Sequence, residues 1–272
     1  MTDTDEVPAG IDASVATPAR MYDYWLGGHN NFAADRIAAQ KVLEIWPEAP
    51  LVARENRSFL GRVVRFLVAE AGIRQFLDLG TGLPATGSVH QVAQGIAPES
   101  RVIYVDNDPM VLAHARSLKT GSRAAVIRAD LRDADTILAR PDTRRLIDFS
   151  QPLAVLFVAV LHFVEDPDAH QAVARYKDAA PPGSYLVVSH GTVEDEVDPE
   201  LAAASTAAYS RTASPIFTRP RPKILEFFDG WEILEPGLVP VMQWRPDQPG
   251  PAVQELPLPV RAVLGAVARK PA

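Results

Sequence analysis

Apolar residues along the chain fall into short continuous runs that alternate with stretches of helical spacing. Continuous apolar runs are typical of strands buried on both faces of a parallel sheet. The alternation of such strands with helices predicts an α/β fold. The runs that we interpret as strands are Phe76–Leu79, Arg101–Asp106, Ala124–Arg128, Leu153–Val158, Tyr185–Ser189, Trp231–Leu234 and Val263–Ala268.

Helical spacing before the first of these strands indicates a separate helical layer. A short helical turn stops at Gly27, a second helix covers about residues 32–46, and a third begins at Pro50 and ends at Gly72. A later Ala-rich helix, near Pro199, lies in an insertion. We therefore expect a disordered tail over residues 1–16, a helical cap over 17–72, and a core over 73–272 with a helical insertion at about 191–228.

The sequence carries a net charge of −7 and contains no cysteine. The acidic balance gives no reason to expect a nucleic acid or an anionic membrane as a partner. The lack of cysteine excludes disulfides, thiolate zinc sites and a cysteine nucleophile. The longest apolar run, Leu153–Leu161, is too short to cross a bilayer. We expect a cytoplasmic protein, whose oligomeric state the sequence does not indicate.

A glycine turn directly after the first predicted strand indicates a nucleotide-binding βα unit. Gly80, Gly82 and Ala85 match the dinucleotide spacing G-x-G-x-x-A, which is also expected of an NAD-dependent oxidoreductase. Asp78 precedes the turn, where its carboxylate would repel a pyrophosphate but attract the ammonium and sulfonium groups of S-adenosylmethionine. The alternative is that Asp78 only accepts hydrogen bonds from amides of its own loop.

Two further carboxylates stand at the ends of the next two predicted strands. Asp106 occupies the position that takes the ribose hydroxyls in folds that bind NAD or S-adenosylmethionine. A capping role for Asp106 is the weaker interpretation, because Asp108 before Pro109 already supplies a helix cap. Asp130 follows the third strand, where it would accept a hydrogen bond from the adenine amino group while Leu131 packs on the ring.

His162 follows the fourth predicted strand, in the loop that borders the crevice of an open α/β sheet. An imidazole titrates near neutrality, so His162 is a candidate general base. A histidine that only packs and hydrogen-bonds locally is an equally good interpretation. Asp166, Asp168 and His170 lie nearby, but Pro167 interrupts the helical spacing, so we expect no metal site.

The stretch Pro18–Gly28, followed by Asn30–Arg36, forms a specific N-terminal signature. Further motifs occur at Glu55–Leu60, Phe76–Pro84, Tyr104–Pro109, Ala129–Asp133, Val158–Phe163 and Phe227–Trp231. Together they resemble one family of S-adenosylmethionine-dependent methyltransferases whose acceptors are largely unassigned. The resemblance covers nearly the whole chain from about Pro18.

The resemblance implies a class I methyltransferase (Rossmann-like) fold. This fold is a seven-stranded sheet of order 3-2-1-4-5-7-6 with strand seven antiparallel, here joined to the N-terminal helical cap. The resemblance also implies that S-adenosylmethionine is the cofactor and that its methyl group goes to an unidentified, small-molecule acceptor. A non-catalytic S-adenosylmethionine-binding protein is an alternative, and an NAD-dependent oxidoreductase is a further one that Asp78 opposes.

The resemblance further implies which residues hold the cofactor. The predicted contacts are Asp78, Gly80, Thr81 and Gly82 at the methionine portion, Asp106 and Asn107 at the ribose, Asp130 and Leu131 at the adenine, and Ala159 in the loop after the fourth strand. Tyr22 and the loop of Gly27 and Gly28 would close over the cofactor. We expect this segment to become ordered when the cofactor binds.

Overall fold

A computed structural model describes residue 7 and residues 10–84, 86–111, 123–192, 199–248 and 250–272. Three helices form the N-terminal layer: α1 (Pro18–Trp25), α2 (Ala33–Ile45) and α3 (Ala49–Ala69). Helix α1 begins where the Thr17 side chain accepts a hydrogen bond from the Arg20 amide and Pro18 takes the first helical position. These three helices precede the first strand in the chain, and α3 packs on one face of the sheet.

Eight strands form one mixed sheet in the order β3-β2-β1-β4-β5-β8-β6, and β7 pairs with β8 beside this path. The strands are β1 (Gln75–Leu79), β2 (Arg101–Asp106), β3 (Ala124–Arg128), β4 (Ala154–Val158), β5 (Tyr185–Gly191), β6 (Glu232–Ile233), β7 (Val239–Pro240) and β8 (Val263–Arg269). Strands β1 to β5 run parallel, and β8 runs antiparallel to β5. The predicted class I order is confirmed. The two-residue strand β7 is the addition that makes eight strands instead of seven.

Seven further helices are described after β1. They are α4 (Val89–Ile96), α5 (Ala134–Ala139), α6 (Pro141–Leu146), α7 (Asp168–Ala179), α8 (Pro199–Tyr209), α9 (Arg221–Leu225) and α10 (Leu258–Arg261). The helix predicted to begin at Pro109 lies outside the described residues beyond Val111. Its expected cap is present, because Asp108 Oδ1 accepts a hydrogen bond from the Met110 amide at 2.9 Å.

Alternate side chains of the strands point to opposite faces of the sheet, and each face has its own core. Leu77 and Val105 belong to one cluster, whereas Phe76 and Val102 belong to the cluster that includes Phe59 of α3. A third cluster joins the helical layer to α8 and includes Met21, Val42 and Tyr209. The described residues include no helix that is long and apolar enough to cross a membrane.

The segment predicted to be a disordered tail is described over residues 10–16, whereas residues 1–6, 8 and 9 lie outside the described part of the chain. The Arg20 guanidinium donates to the carbonyl oxygens of Asp12 and Val15. The amide of Ala213 donates to the carbonyl of Ala16 at 2.8 Å, and Ala16 is buried. Residues 10–16 therefore contact both the nearby helix α1 and the segment around Ala213, which is distant in sequence. Composition does not reveal such contacts.

Candidate functional site

A cavity of about 1370 Å³ lies at the carboxyl ends of the parallel strands. This is the edge at which open α/β sheets bind ligands. The ends of β1, β2, β3 and β4 line one side of the cavity, and the helical layer and the segment after α8 line the other. All twelve predicted site residues line this cavity: Tyr22, Gly28, Asp78, Gly80, Thr81, Gly82, Asp106, Asn107, Asp130, Leu131, Ala159 and His162.

The glycine turn after β1 is held by the neighbouring strand and loop. Gly80 and Thr81 donate their amides to the carbonyl of Val105, at 2.8 and 3.2 Å. Both glycines of the turn have positive φ angles, 72° at Gly80 and 66° at Gly82. A Cβ on Gly80 would lie 2.1 Å from Val160, whereas a Cβ on Gly82 would meet nothing within 4 Å. Gly82 therefore leaves open space where a ligand can approach the backbone.

Asp78, at the end of β1, is buried, and burial raises the pKa of its carboxyl to about 7. Among the described residues, only the Thr81 hydroxyl donates a hydrogen bond to it, at 3.1 Å. The described loop amides do not donate to this carboxylate, so the loop-binding alternative has little geometric support. Much of its hydrogen-bonding capacity remains available to a cationic ligand.

Asp106, at the end of β2, holds the glycine turn and the loop after β2 through hydrogen bonds from their amides. Its Oδ2 atom accepts from the Gly82 amide at 2.8 Å, and its Oδ1 atom accepts from the Asp108 amide at 2.9 Å. Burial raises the pKa of Asp106 to about 6, against these hydrogen bonds, which lower it. Each oxygen has a further lone pair, so the carboxylate is able to bind ribose hydroxyls while it holds the turn.

Asp130, after β3, already has a cationic partner. Arg132 Nη2 donates to Asp130 Oδ2 at 2.6 Å, and Arg132 also pairs with Asp168 at 3.3 Å. The hydrogen bonds from Arg132 lower the pKa of Asp130 below its ordinary value. An adenine amino group would therefore share this carboxylate with Arg132. Leu131 beside it is buried and lines the cavity, as an adenine-packing residue would.

The residues of the N-terminal signature use most of their polar groups within the helical layer. The Tyr22 hydroxyl donates to the carbonyl of Ala53 at 2.8 Å and accepts from Asn56 Nδ2 at 3.1 Å. Gly28 fits beside Asp23, because a Cβ at Gly28 would lie 2.1 Å from the Asp23 carboxylate. The Asp23 carboxylate in turn accepts from the Asn30 amide at 2.8 Å. These contacts give the signature a structural role at the wall of the cavity.

A buried ionic group anchors α1 to the loop after β2. Arg20 Nε lies 3.3 Å from Asp35 and 3.8 Å from Asp108, and the side chains of all three residues are at most 4% exposed. The Thr17 hydroxyl donates to Asp108 Oδ2 at 2.6 Å. These buried contacts hold α1 against the loop after β2, at the wall of the cavity. The ordering of this segment on cofactor binding stays a prediction.

His162 lies in a 3₁₀ turn after β4 and is buried. The Gly191 amide donates to His162 Nδ1 at 3.3 Å, so this nitrogen carries no proton. Burial, followed by the charges of His190 and Arg219, holds the pKa of His162 well below its ordinary value. The neutral ring therefore has its proton on Nε2. This arrangement favours a hydrogen-bond donor at the cavity over a general base.

Arg219 fixes the loop that carries His162, which the sequence did not indicate. It is 3% exposed and donates to the carbonyls of Leu161 and Val164, at 2.8 and 2.6 Å. Arg219 Nη2 also lies 3.0 Å from Asp166 Oδ1. This ion pair engages one of the carboxylates that the sequence analysis considered as a metal ligand. Among the described residues, no three His, Asp or Glu side chains are grouped as metal ligands.

Ala159, between β4 and the His162 turn, has a positive φ angle of 55°. This conformation is costly for an L-residue and occurs mainly where surrounding contacts impose it. The Ala159 amide donates to the Ser189 hydroxyl at 2.9 Å, and that hydroxyl donates to Asn56 Oδ1 at 2.6 Å. Ser189 and Asn56 thus hold the loop after β4 against α3. Sequence patterns gave no signal for this chain of contacts.

Arg57 of α3 is a cavity residue that the site prediction omitted. Its Nη2 atom is enclosed by protein yet has no hydrogen-bond partner among the described residues. The only sequence signal was its place in the motif Glu55–Leu60.

The comparisons with known proteins agree with this geometry. A family model described as S-adenosyl methyltransferase matches residues 4–271. None of the curated proteins compared with the chain matches it. The crystal structure of a putative methyltransferase from Thermobifida fusca is 41% identical, with a TM-score of 0.92 over 99% of this chain and 100% of that one.

A duf574 family protein from Streptomyces avermitilis is 40% identical, with a TM-score of 0.89 over 96% of this chain and 99% of that one. An O-methyltransferase family protein from Burkholderia thailandensis is 16% identical, with a TM-score of 0.52 over 92% of this chain and 64% of that one, and shares the fold alone. The family model covers almost the entire sequence and includes every residue of the cavity described above. The chain therefore belongs to the S-adenosyl methyltransferase family.

Proposed function

We propose that this protein transfers the sulfonium methyl group of S-adenosylmethionine to a small-molecule acceptor. One observation carries the proposal: a single cavity joins the acidic ends of β1, β2 and β3 to a second space under the helical layer. At about 1370 Å³, the cavity exceeds the size of a typical pocket for one small ligand, roughly 300–1000 Å³. It therefore has room for the cofactor together with an acceptor.

The carboxylates at the ends of β1, β2 and β3 are suited to binding the cofactor. Asp78 faces the region proposed for the ammonium and sulfonium, Asp106 the ribose, and Leu131 the adenine ring. The family of the chain supports the same assignment. Dinucleotide binding is disfavoured, because a pyrophosphate at the glycine turn would lie beside the buried carboxylates of Asp78 and Asp106.

The second space suits an acceptor. Its lining includes Trp25, Trp46, Phe163, Tyr209 and Phe217, which are apolar surfaces with few charges. In the proposed reaction, a lone pair of the acceptor forms a bond to the methyl carbon while the methyl–sulfur bond breaks, and S-adenosylhomocysteine leaves. Positioning and exclusion of water supply much of the rate in such a displacement. A base at His162 is not required.

Transfer of labelled methyl groups tests this proposal. Purified protein is incubated with S-adenosylmethionine carrying a tritiated methyl group and with the low-molecular-mass fraction of a cell extract. We expect the label to enter a small molecule only when active protein is present, and heat-denatured protein serves as the control. Tight binding of S-adenosylmethionine without any transfer would favour the non-catalytic alternative. Binding of NAD in its place would favour an oxidoreductase.

A further inference from the structure

Arg57 is the cationic side chain of α3 that reaches the cavity beside the glycine turn. It lines the main cavity and also a small adjoining pocket formed with Asp78, Thr81 and Gly82. Among the described residues, no carboxylate lies within ion-pair distance of Arg57, and its enclosed Nη2 atom donates no hydrogen bond. Because Nη2 is closed off from the cavity, a ligand there would reach the guanidinium through its other nitrogens, and an unpaired positive charge in this partly buried place is costly.

The position of Arg57 along the sheet narrows the choice of ligand group. The carboxyl ends of β3, β2 and β1 are neighbours in that order, so Leu131, Asp106 and Asp78 follow one another across the cavity. The positive charge of Arg57 lowers the pKa of Asp78, which places the guanidinium near the β1 end. This end is opposite the region proposed for adenine.

Arg57 and Asp78 together present one positive and one negative group at the same end of the cavity. An amino-acid group has the complementary pair, a carboxylate and an ammonium. A guanidinium nitrogen that faces the cavity forms a charge-assisted hydrogen bond with a carboxylate, which is stronger than one between neutral groups. We propose that Arg57 binds the carboxylate of the methionine portion of S-adenosylmethionine while Asp78 faces its ammonium group. This assignment rests on the proposed use of S-adenosylmethionine at this site.

Ligand truncation combined with substitution tests the contact. Dissociation constants of S-adenosylmethionine and of decarboxylated S-adenosylmethionine are measured calorimetrically for the wild-type protein and for Arg57→Gln. We expect Arg57→Gln to weaken binding of S-adenosylmethionine on the order of 10- to 100-fold. Binding of the decarboxylated compound, which lacks the group that Arg57 contacts, should change by less than about threefold. The matched control is Arg54→Gln, which removes the same charge from an exposed position of α3.

The outcomes of this experiment distinguish a failure of the Arg57 contact from a failure of the proposed function on which it rests. Equal losses for the two compounds, or no loss for either, would overturn the carboxylate contact and leave the proposed function standing. Failure of the wild-type protein to bind S-adenosylmethionine would overturn the proposed function itself. Should Arg57→Gln not fold, Arg57→Met provides the second test, because methionine keeps a flexible unbranched side chain but lacks the charge and the donors. Its affinity for S-adenosylmethionine should fall by about tenfold, again without loss for the decarboxylated compound.

Discussion

Gly80 and Gly82 are separated by one residue but have different reasons to be glycine. Alanine at either position adopts a left-handed conformation at a cost of roughly 1–2 kcal/mol. Only at Gly80 does the added Cβ also collide with the branched side chain of Val160. We predict that Gly80→Ala lowers the free energy of unfolding by about 1–3 kcal/mol more than Gly82→Ala does. Urea denaturation of the two variants measures this difference, and equal losses would contradict the assigned roles.

We predict that Asp78 makes the binding of S-adenosylmethionine depend on pH. Its pKa of about 7 in the ligand-free protein means that most of the carboxyl is protonated at pH 6. The cationic groups of S-adenosylmethionine favour the charged form, so binding releases protons near pH 6 and affinity increases between pH 6 and pH 8. Calorimetry in buffers of different ionisation enthalpy detects this release. Asp78→Asn should remove most of the increase, and an affinity that is independent of pH in the wild-type protein would contradict the prediction.

His162 is predicted to stay neutral and to keep its proton on Nε2. Burial lowers its pKa well below the ordinary value of 6.5, and the Gly191 amide occupies Nδ1. Nitrogen chemical shifts of the ring, followed by NMR from pH 8 to pH 6, report both properties. Exposed His29 serves as the comparison in the same spectra. Protonation of His162 within this range would restore the general-base interpretation.

At the residue scale, the sequence predicted which residues line the cavity better than it predicted which side chains they contact. Asp78, Asp106 and Leu131 line the cavity. Their positions could be predicted because local sequence patterns mark the ends of strands. The sequence could not show that Asp130 is paired with Arg132, or that Asn56 and Ser189 hold the loop after β4. Such contacts depend on side-chain directions and on residues far apart in sequence, which leave no periodic signal.

At the element scale, the Arg20 group determines how firmly the helical layer is held. Arg20→Met leaves the buried carboxylates of Asp35 and Asp108 without their cation. We predict a loss of about 3–5 kcal/mol in the free energy of unfolding. The matched variant Arg65→Met breaks an exposed pair with Asp247 and should cost less than about 1 kcal/mol. Similar losses for the two variants in urea denaturation would show that the buried group does not anchor the layer.

The regular elements were predictable for a physical reason. Continuous apolar runs marked β2 and β3 at their observed bounds, because both strands are covered by core on each face. Strand β7 has only two residues and pairs near the start of β8, so no run of apolar residues indicates it in the sequence. The buried ion pairs of Arg20 were also missed. The apolar faces and glycines of the signature are compatible with a mobile lid and with an anchored wall alike.

At the scale of the whole molecule, one sheet edge and one helical layer enclose the cavity that we propose for the cofactor and an acceptor. The order β3-β2-β1-β4 lines up the carboxylates of Asp130, Asp106 and Asp78, and the turn after β4 carries His162 to the boundary of the space proposed for the acceptor. The amide of Phe217 donates to the carbonyl of His162 at 2.7 Å, which ties the segment after α8 to that boundary. The sheet order followed from family resemblance, whereas the shape of the second space required the folded chain.

A crystal structure with S-adenosylhomocysteine tests the central claim most directly. We predict that the adenine ring packs on Leu131 and the ribose hydroxyls bind Asp106. The sulfur should face the space lined by His162 and Tyr209, where an acceptor would receive the methyl group. A complex with the ribose away from Asp106, or with the sulfur turned away from that space, would contradict the account.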